Sequence, residues 1–254
     1  MELSLIAQRI AKSRSNQNVV NTPIFELTNC DPYSIQKAVT NLLPATGAWK
    51  AGGTNKKTQT YFDTDKAYYG PIEKNKIFQG RNLEVNSKAL ALPLKGELEI
   101  CFLLPPDVFV NESDLNELVF SGVIKTLVCL ELPWTIFEQP ASGLAHLIAD
   151  VCGANALLCG PEISPSILKN GDKIKLSLQT VEGETITSGI VSDSIISPLD
   201  VLIDFIEFVK IQEIDVSEPI FLATGGVSAC VPLNKNKKYL VKINDAENFN
   251  FSLG

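Results

Sequence analysis

Three glutamates stand in segments whose other residues are mostly apolar. Glu97 and Glu99 are two positions apart in GELEICFLL, and Glu131 ends the run LVCLE. Side chains alternate between the two faces of a strand, so Glu97 and Glu99 share one face. Two carboxylates in a segment suited to a core are costly unless a positive group compensates them, and a hard divalent cation binds carboxylate oxygens. The pair therefore indicates a divalent-metal site, with a solvated strand face as the alternative.

Lys50 is the candidate for acid-base chemistry. It lies among small and apolar residues in AWKAG, where burial would lower its pKa and make it a usable acid or base. An exposed loop lysine is the alternative. Thr54 and Gln59 add neutral hydrogen-bonding groups just beyond it. Thr224 and Gly225, in the TGG run, offer backbone N–H groups that could hold a substrate carboxylate, although TGG is also typical of a tight turn.

Several common kinds of site are excluded. The sequence has no glycine-rich dinucleotide fingerprint, phosphate loop, GxSxG elbow or HExxH motif. The single histidine, His146, lies in SGLAHLIAD, where a core or helix-surface role is favoured over a catalytic one. The six cysteines form no CxxC pair and several lie in apolar runs, so we expect reduced cysteines in a cytoplasmic chain without a zinc site.

Bulk composition limits the class of protein. A chain of 254 residues with 45% hydrophobic content can bury a full core, and we expect a single domain. The net charge of -7 argues against a nucleic-acid partner. No segment has the pattern of a signal peptide or the length to span a bilayer, so we expect no membrane association.

Two helices are predicted near the N-terminus, followed by a polar loop. The spacing of Leu3, Ile6, Ala7 and Ile10 predicts an amphipathic helix. A second helix should begin at Asp31 as N-cap with Pro32 at N1 and end before Pro44, and we expect it to bury Ile35, Ala38, Val39 and Leu42. The glycine-containing segment WKAGGTNKKTQTYF (49–62) is typical of a loop that approaches a ligand closely.

Strands dominate from about residue 90. Helices are expected at 142–150 and at 197–210, the second capped by Ser197 and burying Leu199, Leu202, Ile203, Ile206 and Val209. The result is an α+β chain with a mainly antiparallel β part, with residues 1–70 as a helical N-terminal part with the active-site loop and 71–254 as the β core. The expected strands are LALPL (90–94), ELEICFLL (97–104), VIKTLVCLEL (123–132), KIKLSLQT (173–180), ETITSGIV (184–191), FLATGGV (221–227) and YLVKIND (239–245).

Together, these segments resemble a known family. DPYSIQKAV, WKAGGTNKKTQTYF with YYGPI, ELEICF, LELP, LIAD and LATGGV follow the order and spacing of the 2-keto-4-pentenoate hydratases. Those belong, with the 4-oxalocrotonate decarboxylases, to the fumarylacetoacetate hydrolase superfamily. The resemblance covers nearly the whole chain and implies a mixed β-sandwich roll with a small N-terminal helical part. It also implies a Mg²⁺ or Mn²⁺ ion held by Glu97, Glu99 and Glu131, and an active-site lysine at Lys50.

The chain departs from the hydratase pattern at several polar positions. Tyr68 stands where hydratases commonly have aspartate, and Asp65 matches a more general acidic position of the loop. We include both with Lys50 as candidate catalytic residues. The asparagine and serine expected after Asp150 are replaced in the run 149–153, and the arginine often found after the third glutamate is absent. These changes remove groups that would position water or the far end of a substrate.

The resulting hypothesis is a divalent-metal-dependent lyase acting on a short 2-oxo acid. Chelation of the 2-oxo acid would stabilise an enolate, with Lys50 moving protons. Hydration of 2-hydroxypenta-2,4-dienoate is ranked narrowly first by resemblance, and decarboxylation of an oxalocrotonate-type acid second. A catalytically silent homologue that serves as a binding or assembly subunit is the alternative of a different class. The resemblance also implies a homo-oligomer.

Overall fold

The computed structural model describes residues 3–20, 30–111, 114–137, 143–169, 173–194 and 196–254. Within these ranges the chain forms seven α-helices and thirteen strands. The helices are α1 (Leu3–Ser15), α2 (Pro32–Thr40), α3 (Lys56–Phe62), α4 (Leu115–Phe120), α5 (Gly143–Ala149), α6 (Ser166–Lys169) and α7 (Pro198–Ile211). The strands are β1 (Thr46–Gly52), β2 (Tyr68–Glu73), β3 (Ile77–Gln79), β4 (Asn82–Val85), β5 (Lys95–Leu104), β6 (Lys125–Leu132), β7 (Ala156–Ile163), β8 (Lys175–Thr180), β9 (Thr185–Ile190), β10 (Ile220–Gly226), β11 (Val231–Pro232), β12 (Lys238–Ile243) and β13 (Ala246–Leu253).

The strands of the described chain build two sheets. The larger has the order β2-β1-β10-β5-β6-β7-β3, with β11 paired to one end of β5. The smaller has the order β4-β13-β12-β8-β9. Most pairs are antiparallel, as expected from the sequence, whereas β1 with β10, β3 with β7 and β4 with β13 are parallel.

Each face of the larger sheet packs against a different layer. On one face, residues such as Leu98 and Ile100 pack with the smaller sheet and α7 in the main apolar core. On the other face, Cys101 and Ala223 pack with α1 and α2 in a second core. Because strand side chains alternate, the odd-numbered positions of β5 that carry Glu97 and Glu99 lie on this second, helix-covered face.

The N-terminal helices follow the sequence signals closely. In α1, Ile6, Ala7 and Ile10 are buried as expected. In α2, the Asp31 side chain accepts a hydrogen bond from the Ser34 N–H, which confirms the predicted cap. Leu42 was wrongly assigned to the buried face: the helix ends at Thr40, and Leu42 is 52% exposed in the turn that follows.

The helix α7 also begins where predicted, with Ser197 accepting from the Asp200 N–H. Leu202, Ile206 and Val209 are buried, but Ile203 is 42% exposed and was wrongly placed inward. One residue corresponds to about 100° on a helix, so the stripe centred on Leu202 and Phe205 turns Ile203 toward solvent. The helix predicted over 142–150 appears as α5, and Ser142 lies outside the described residues.

Two segments differ from the sequence prediction. The run 49–62, expected to be a loop, contains the end of β1 and the helix α3. β1 lies inside the larger sheet, so part of the chain before residue 70 supplies strands. The run 90–94 is not a strand, and its chain turns at the cis Leu92–Pro93 bond before β5 begins. Among the described helices, none is both long enough and apolar enough to cross a membrane.

Candidate metal centre

The three glutamates converge on the helix-covered face of the larger sheet. Glu97 of β5 is the direct cross-strand partner of Glu131 of β6, and Glu99 follows Glu97 on the same face. One carboxylate oxygen from each lies within 4.8 Å of the other two. Glu99 and Glu131 are fully buried and Glu97 is half-buried, so the solvated strand face does not describe this arrangement.

The carboxylates lack enough hydrogen-bond donors to compensate their burial. Both oxygens of Glu131 and Oε1 of Glu99 have no hydrogen-bond partner within the described part of the chain. Unpartnered buried carboxylate oxygens are costly, and a hard cation compensates several of them at once. The donor set is entirely oxygen, which suits Mg²⁺ or Mn²⁺. The three side chains therefore fit the expected kind of ion.

Burial controls the electrostatics of this cluster. It raises the pKa of Glu131 to about 8, against the opposing charge of Lys50, and repulsion from Glu97 adds to the rise. Burial also raises the pKa of Glu99 well above its usual range, and the neighbouring carboxylates raise it further. The protein without a cation thus holds these groups in a state that disfavours their ionised forms.

Lys50 lies beside the carboxylates rather than in an exposed loop. It belongs to β1 and is 7% exposed, and its Nζ is 3.9 Å from Oε2 of Glu131. Burial acts to lower the pKa of Lys50, but attraction to Glu131 and the other acids outweighs it and raises the pKa above its ordinary value. The expected lowering was therefore wrong, because the sequence prediction considered burial without the acids that face the ammonium group.

The TGG segment has different partners from those expected. The Gly225 N–H donates to Oε2 of Glu99 at 2.7 Å, and the Thr224 hydroxyl donates to the Ile100 carbonyl at 3.0 Å. The Gly225 N–H thus holds a carboxylate of the protein and is not free to hold one from a substrate, and the Thr224 hydroxyl is used by a main-chain carbonyl. Gly225 has φ of +96°, and an added methyl group would overlap the Thr54 side chain.

Thr54 and Gln59 lie on either side of the start of α3. Thr54 is 1% exposed, and its hydroxyl has no hydrogen-bond partner among the described residues. Gln59 is buried and its Nε2 donates to the Gly53 carbonyl at 3.0 Å. Thr54 thus keeps a polar group available near the carboxylate cluster, whereas Gln59 closes the turn between β1 and α3.

Of the two remaining candidate catalytic residues, Tyr68 lies at the site and Asp65 lies outside it. Tyr68 is buried, and its ring lies against Gly52, its cross-strand partner next to Lys50. Burial raises the pKa of Tyr68, although the charge of Lys50 acts in the opposite direction. Asp65 is exposed in the turn between α3 and β2 and makes no hydrogen bond or ion pair with the glutamates. The structure therefore does not bring Asp65 to the site.

Sequence reasoning missed residues that support the carboxylates. Gly226 lies so close to Glu97 that an added methyl group would overlap its carboxylate. The Ser228 hydroxyl accepts from the Leu98 N–H at 3.0 Å, between the two glutamates of β5. The glycine doublet was a signal for this close approach, since only glycine leaves room for a side chain there.

The single histidine, His146, packs edge-to-face with Phe137, at 5.8 Å between ring centroids.

Comparison with known proteins identifies the fold. No protein-family model and no curated protein sequence matches the chain. Among solved structures, 4-oxalocrotonate decarboxylase from Pseudomonas putida G7, complexed with magnesium and adipate, is 15% identical with a TM-score of 0.80 over 99% of this chain and 97% of that chain. Fumarylpyruvate hydrolase from Pseudomonas aeruginosa, complexed with Mn²⁺ and pyruvate, is 12% identical with a TM-score of 0.53 over 83% and 91%.

A third similar solved structure is that of a fumarylacetoacetate hydrolase family protein. A Yersinia pestis CO92 protein assigned to the fumarylacetoacetate hydrolase family is 14% identical, with a TM-score of 0.51 over 83% of this chain and 94% of that chain. At such identities the likeness establishes the fold and not the reaction. The chain has the fumarylacetoacetate hydrolase-like fold, so the fold expected from the sequence is confirmed.

Proposed function

We propose that this chain is a divalent-metal-dependent lyase that decarboxylates a short 2-oxo acid. The observation that carries the proposal is the meeting of one buried ammonium group, two buried carboxylates and one half-buried carboxylate on a single sheet face. Oε1 of Glu99 and both oxygens of Glu131 have no hydrogen-bond donor among the described residues. The solved decarboxylase and hydrolase with the same fold are complexed with magnesium and Mn²⁺, which supports a divalent cofactor here as well.

The ion would be held by Glu97, Glu99 and Glu131. When bound, Mg²⁺ or Mn²⁺ supplies a Lewis acid that withdraws electrons from the carboxylate and 2-oxo group of a substrate. The Gly225 N–H fixes the orientation of Glu99, and the pairing of β5 with β6 fixes Glu97 against Glu131. These ligands are therefore organised by backbone geometry before any ion binds.

Lys50 would act as the proton donor. Its raised pKa keeps the ammonium form at neutral pH. Decarboxylation breaks the C–C bond to the departing CO₂ and leaves its electron pair on the substrate, in conjugation with the 2-oxo group. Lys50 would then supply the proton to the carbon chain, and the buried Tyr68 phenol stands beside it as a neutral hydrogen-bond donor.

Decarboxylation is favoured over hydration by the available groups. Adding water requires a group that positions and deprotonates it, and position 68 carries a tyrosine with a raised pKa instead of a carboxylate. Asp65 lies outside the site. Decarboxylation needs only electron withdrawal and a late proton, which Lys50 can give. The ranking that followed from resemblance is therefore reversed.

Hydration stays the second candidate because of Thr54. Its buried hydroxyl has no partner among the described residues and could hold a water molecule. Separate assays of CO₂ release from 4-oxalocrotonate and of water addition to 2-hydroxypenta-2,4-dienoate, both with Mg²⁺ and with Mn²⁺, distinguish the two. Release of CO₂ alone supports decarboxylation, and water addition alone supports hydration.

The same assays also test the third hypothesis, that the chain is a catalytically silent homologue. If neither substrate reacts and calorimetry detects no binding of Mn²⁺ at millimolar concentration, the enzymatic proposal fails and an assembly or binding role is preferred. The homo-oligomer and the cytoplasmic location stay predictions. Size-exclusion chromatography with light scattering tests the first, and fractionation of the source cells tests the second.

A further inference from the structure

We propose that the buried ion pair of Arg14 and Asp150 positions Lys50, by pressing the turn Val151–Gly153 against strand β2 beside it. The inference rests on the proposed function, since it assigns Lys50 a proton-transfer role. Arg14 and Asp150 make no hydrogen bond or ion pair with Lys50 or with the three glutamates in the described structure. They are therefore positioning residues that act through the turn between them and the site.

Arg14 reaches from α1 to both ends of the turn. Its Nη1 is 2.7 Å from Oδ1 of Asp150 and also donates to the Asp150 carbonyl at 3.2 Å, while Nη2 donates to the Ala154 carbonyl. Both side chains are buried, with 3% and 0% exposure. One guanidinium group thus bridges residues that are four apart in the chain, which fixes the separation of the ends of the turn.

Asp150 is fixed from its other side as well. Its Oδ2 accepts from the Thr135 hydroxyl at 2.6 Å and from the Ile136 N–H at 2.9 Å. The Trp134 N–H donates to the Gly153 carbonyl at 2.7 Å. The turn is therefore tied to the segment 134–136, which follows β6 and its Glu131. This arrangement connects α1, β6 and the turn through one buried carboxylate.

The turn has a backbone conformation that needs such support. Val151, Cys152 and Gly153 have φ of +46°, +56° and +65°. Positive φ is ordinary for glycine but strained for cysteine and more so for a β-branched valine. Consecutive left-handed residues persist only where the surroundings over-determine them. The contacts of Arg14 and Asp150 supply that constraint.

The turn meets the sheet at Gly70. An added methyl group at Gly70 would overlap the Val151 carbonyl and the Cys152 side chain. Gly70 is the direct cross-strand partner of Lys50, so the turn occupies the slot next to the Lys50 side chain on the same face. The Cys152 thiol donates to the Tyr69 carbonyl at 3.0 Å, which ties the turn to β2.

Tyr68 bounds the other side of the Lys50 side chain. It shares its face of β2 with Gly70, since the two are separated by one residue, and its ring covers Gly52 on β1. Tyr68 and Cys152 belong to one buried apolar cluster. Lys50 therefore emerges between an aromatic ring and a strained turn, which leaves its ammonium group little freedom other than to face Glu131.

The test compares Asp150→Asn with Val241→Ala in the full-length protein. Val241 is fully buried in β12 of the smaller sheet, so its truncation lowers stability without touching the site. The measurements are kcat and KM for CO₂ release, the Kd for Mn²⁺, and amide hydrogen exchange followed by mass spectrometry. For Asp150→Asn we expect kcat to fall by about 10- to 100-fold, because a small misplacement of an acid-base group has that effect.

We expect KM and the Mn²⁺ Kd of Asp150→Asn to change by less than twofold, because β5, β6 and β10 hold the carboxylates. Amide hydrogen exchange should become faster in residues 68–73 of β2 as well as in residues 150–154. Val241→Ala should keep kcat, with faster exchange confined to the smaller sheet. If Asp150→Asn does not fold, Arg14→Lys takes its place, since lysine keeps the charge but cannot bridge Asp150 and Ala154.

Each outcome decides the proposal. It is supported by a selective loss of kcat together with faster exchange in 68–73. It is overturned if kcat is retained, if KM and the Mn²⁺ Kd worsen by the same factor as kcat, or if exchange rises only in 150–154. An inactive wild-type protein is a failure of the proposed function instead, and the positioning role then falls with it.

Discussion

The ammonium group of Lys50 and the carboxylate of Glu131 lie 3.9 Å apart, although their strands are separated in the sheet by two others. The order β1-β10-β5-β6 places Lys50 and Glu131 on one face, with Glu97 and Glu99 of β5 between the two strands. One ammonium group thus faces three carboxyl groups, and burial disfavours the ionised forms of Glu99 and Glu131. A divalent cation would stabilise the ionised carboxylates that burial disfavours.

Replacing Glu99 by glutamine should remove metal binding. Mutation of a residue that hydrogen-bonds to a metal ligand typically lowers metal affinity by about 10- to 100-fold. Loss of a ligand itself should therefore weaken Mn²⁺ binding by at least about 100-fold. Isothermal titration with Mn²⁺, with and without oxalate, measures the effect. The matched control is Glu162→Gln on β7, which removes an acid from a half-exposed pair with Lys125. Equal Mn²⁺ affinity of wild type and Glu99→Gln would contradict the proposed ligand role.

The same substitution should stabilise the metal-free protein. Glu99 is fully buried near two other acids, and Gln removes the cost of charging it. For a chain of this size, about 1 kcal/mol corresponds to a rise of roughly 2–4 °C in Tm. Thermal unfolding in the presence of a chelator checks this. A lower Tm for Glu99→Gln than for wild type would show that the carboxylate is compensated without any ion.

Stability of the metal-free protein should fall as the pH rises from about 5 to about 8. Glu131 has a folded-state pKa of about 8 against an ordinary value of 4.5. A raised folded-state pKa gives a contribution that is fully present below the unfolded value and is lost as the pH passes through the folded one. Thermal unfolding between pH 5 and pH 8, roughly the interval between the two pKa values, measures this loss of stability. Saturating Mg²⁺ should make the loss smaller. Glu131→Gln should flatten the curve, and an unchanged slope in that variant would contradict the assignment.

Replacing Lys50 by methionine should separate catalysis from metal binding. Removing the ammonium group removes its repulsion of the cation, so Mn²⁺ should bind several-fold more tightly. Turnover should fall by about 10²- to 10⁴-fold, the usual contribution of an acid-base group. Titration and steady-state kinetics on the same preparation measure both effects. Lys50→Arg is the control that keeps the charge, and weaker Mn²⁺ binding by Lys50→Met would count against the proposed geometry.

Gly225→Ala should disturb the site through the backbone. Gly225 has φ of +96° and contacts Thr54, and its N–H donates to Glu99. A side chain there costs about 1–3 kcal/mol in backbone strain and displaces the donor. We expect a lower Tm and weaker Mn²⁺ binding. Gly183→Ala is the control, because Gly183 also has positive φ but lies in the turn between β8 and β9 with open space around it. Equal effects of the two substitutions on Mn²⁺ affinity would contradict a role for the Gly225 N–H.

Some parts of the site could be predicted because they depend on local pattern. The period of two in GELEICFLL fixes Glu97 and Glu99 on one face, and the Asp31 and Ser197 caps mark helix starts in the sequence itself. The position of β1 could not be predicted in this way. Its glycines and polar neighbours are typical of a loop, and only pairing with β10 and β2 makes it a strand.

The other wrong or missing predictions also concern features that depend on the tertiary structure and not on local pattern. The direction of the Lys50 pKa shift depends on Glu131, which is 81 positions away, and the sequence gives its context but not its distance from the ammonium group. Asp65 is near Tyr68 in sequence, yet the turn after α3 leaves it in solvent. The positive φ values of Val151 and Cys152 also have no signal in the sequence, because neither residue type favours them.

Metal binding between the three glutamates can be tested with a crystal of the protein soaked with Mn²⁺ and oxalate, using anomalous scattering to locate the metal. We expect one strong peak bound by carboxylate oxygens of Glu97, Glu99 and Glu131, with oxalate completing the coordination and Lys50 close by. The contradictory result is the absence of a peak between these glutamates at millimolar Mn²⁺, with the Lys50 ammonium group occupying the space instead.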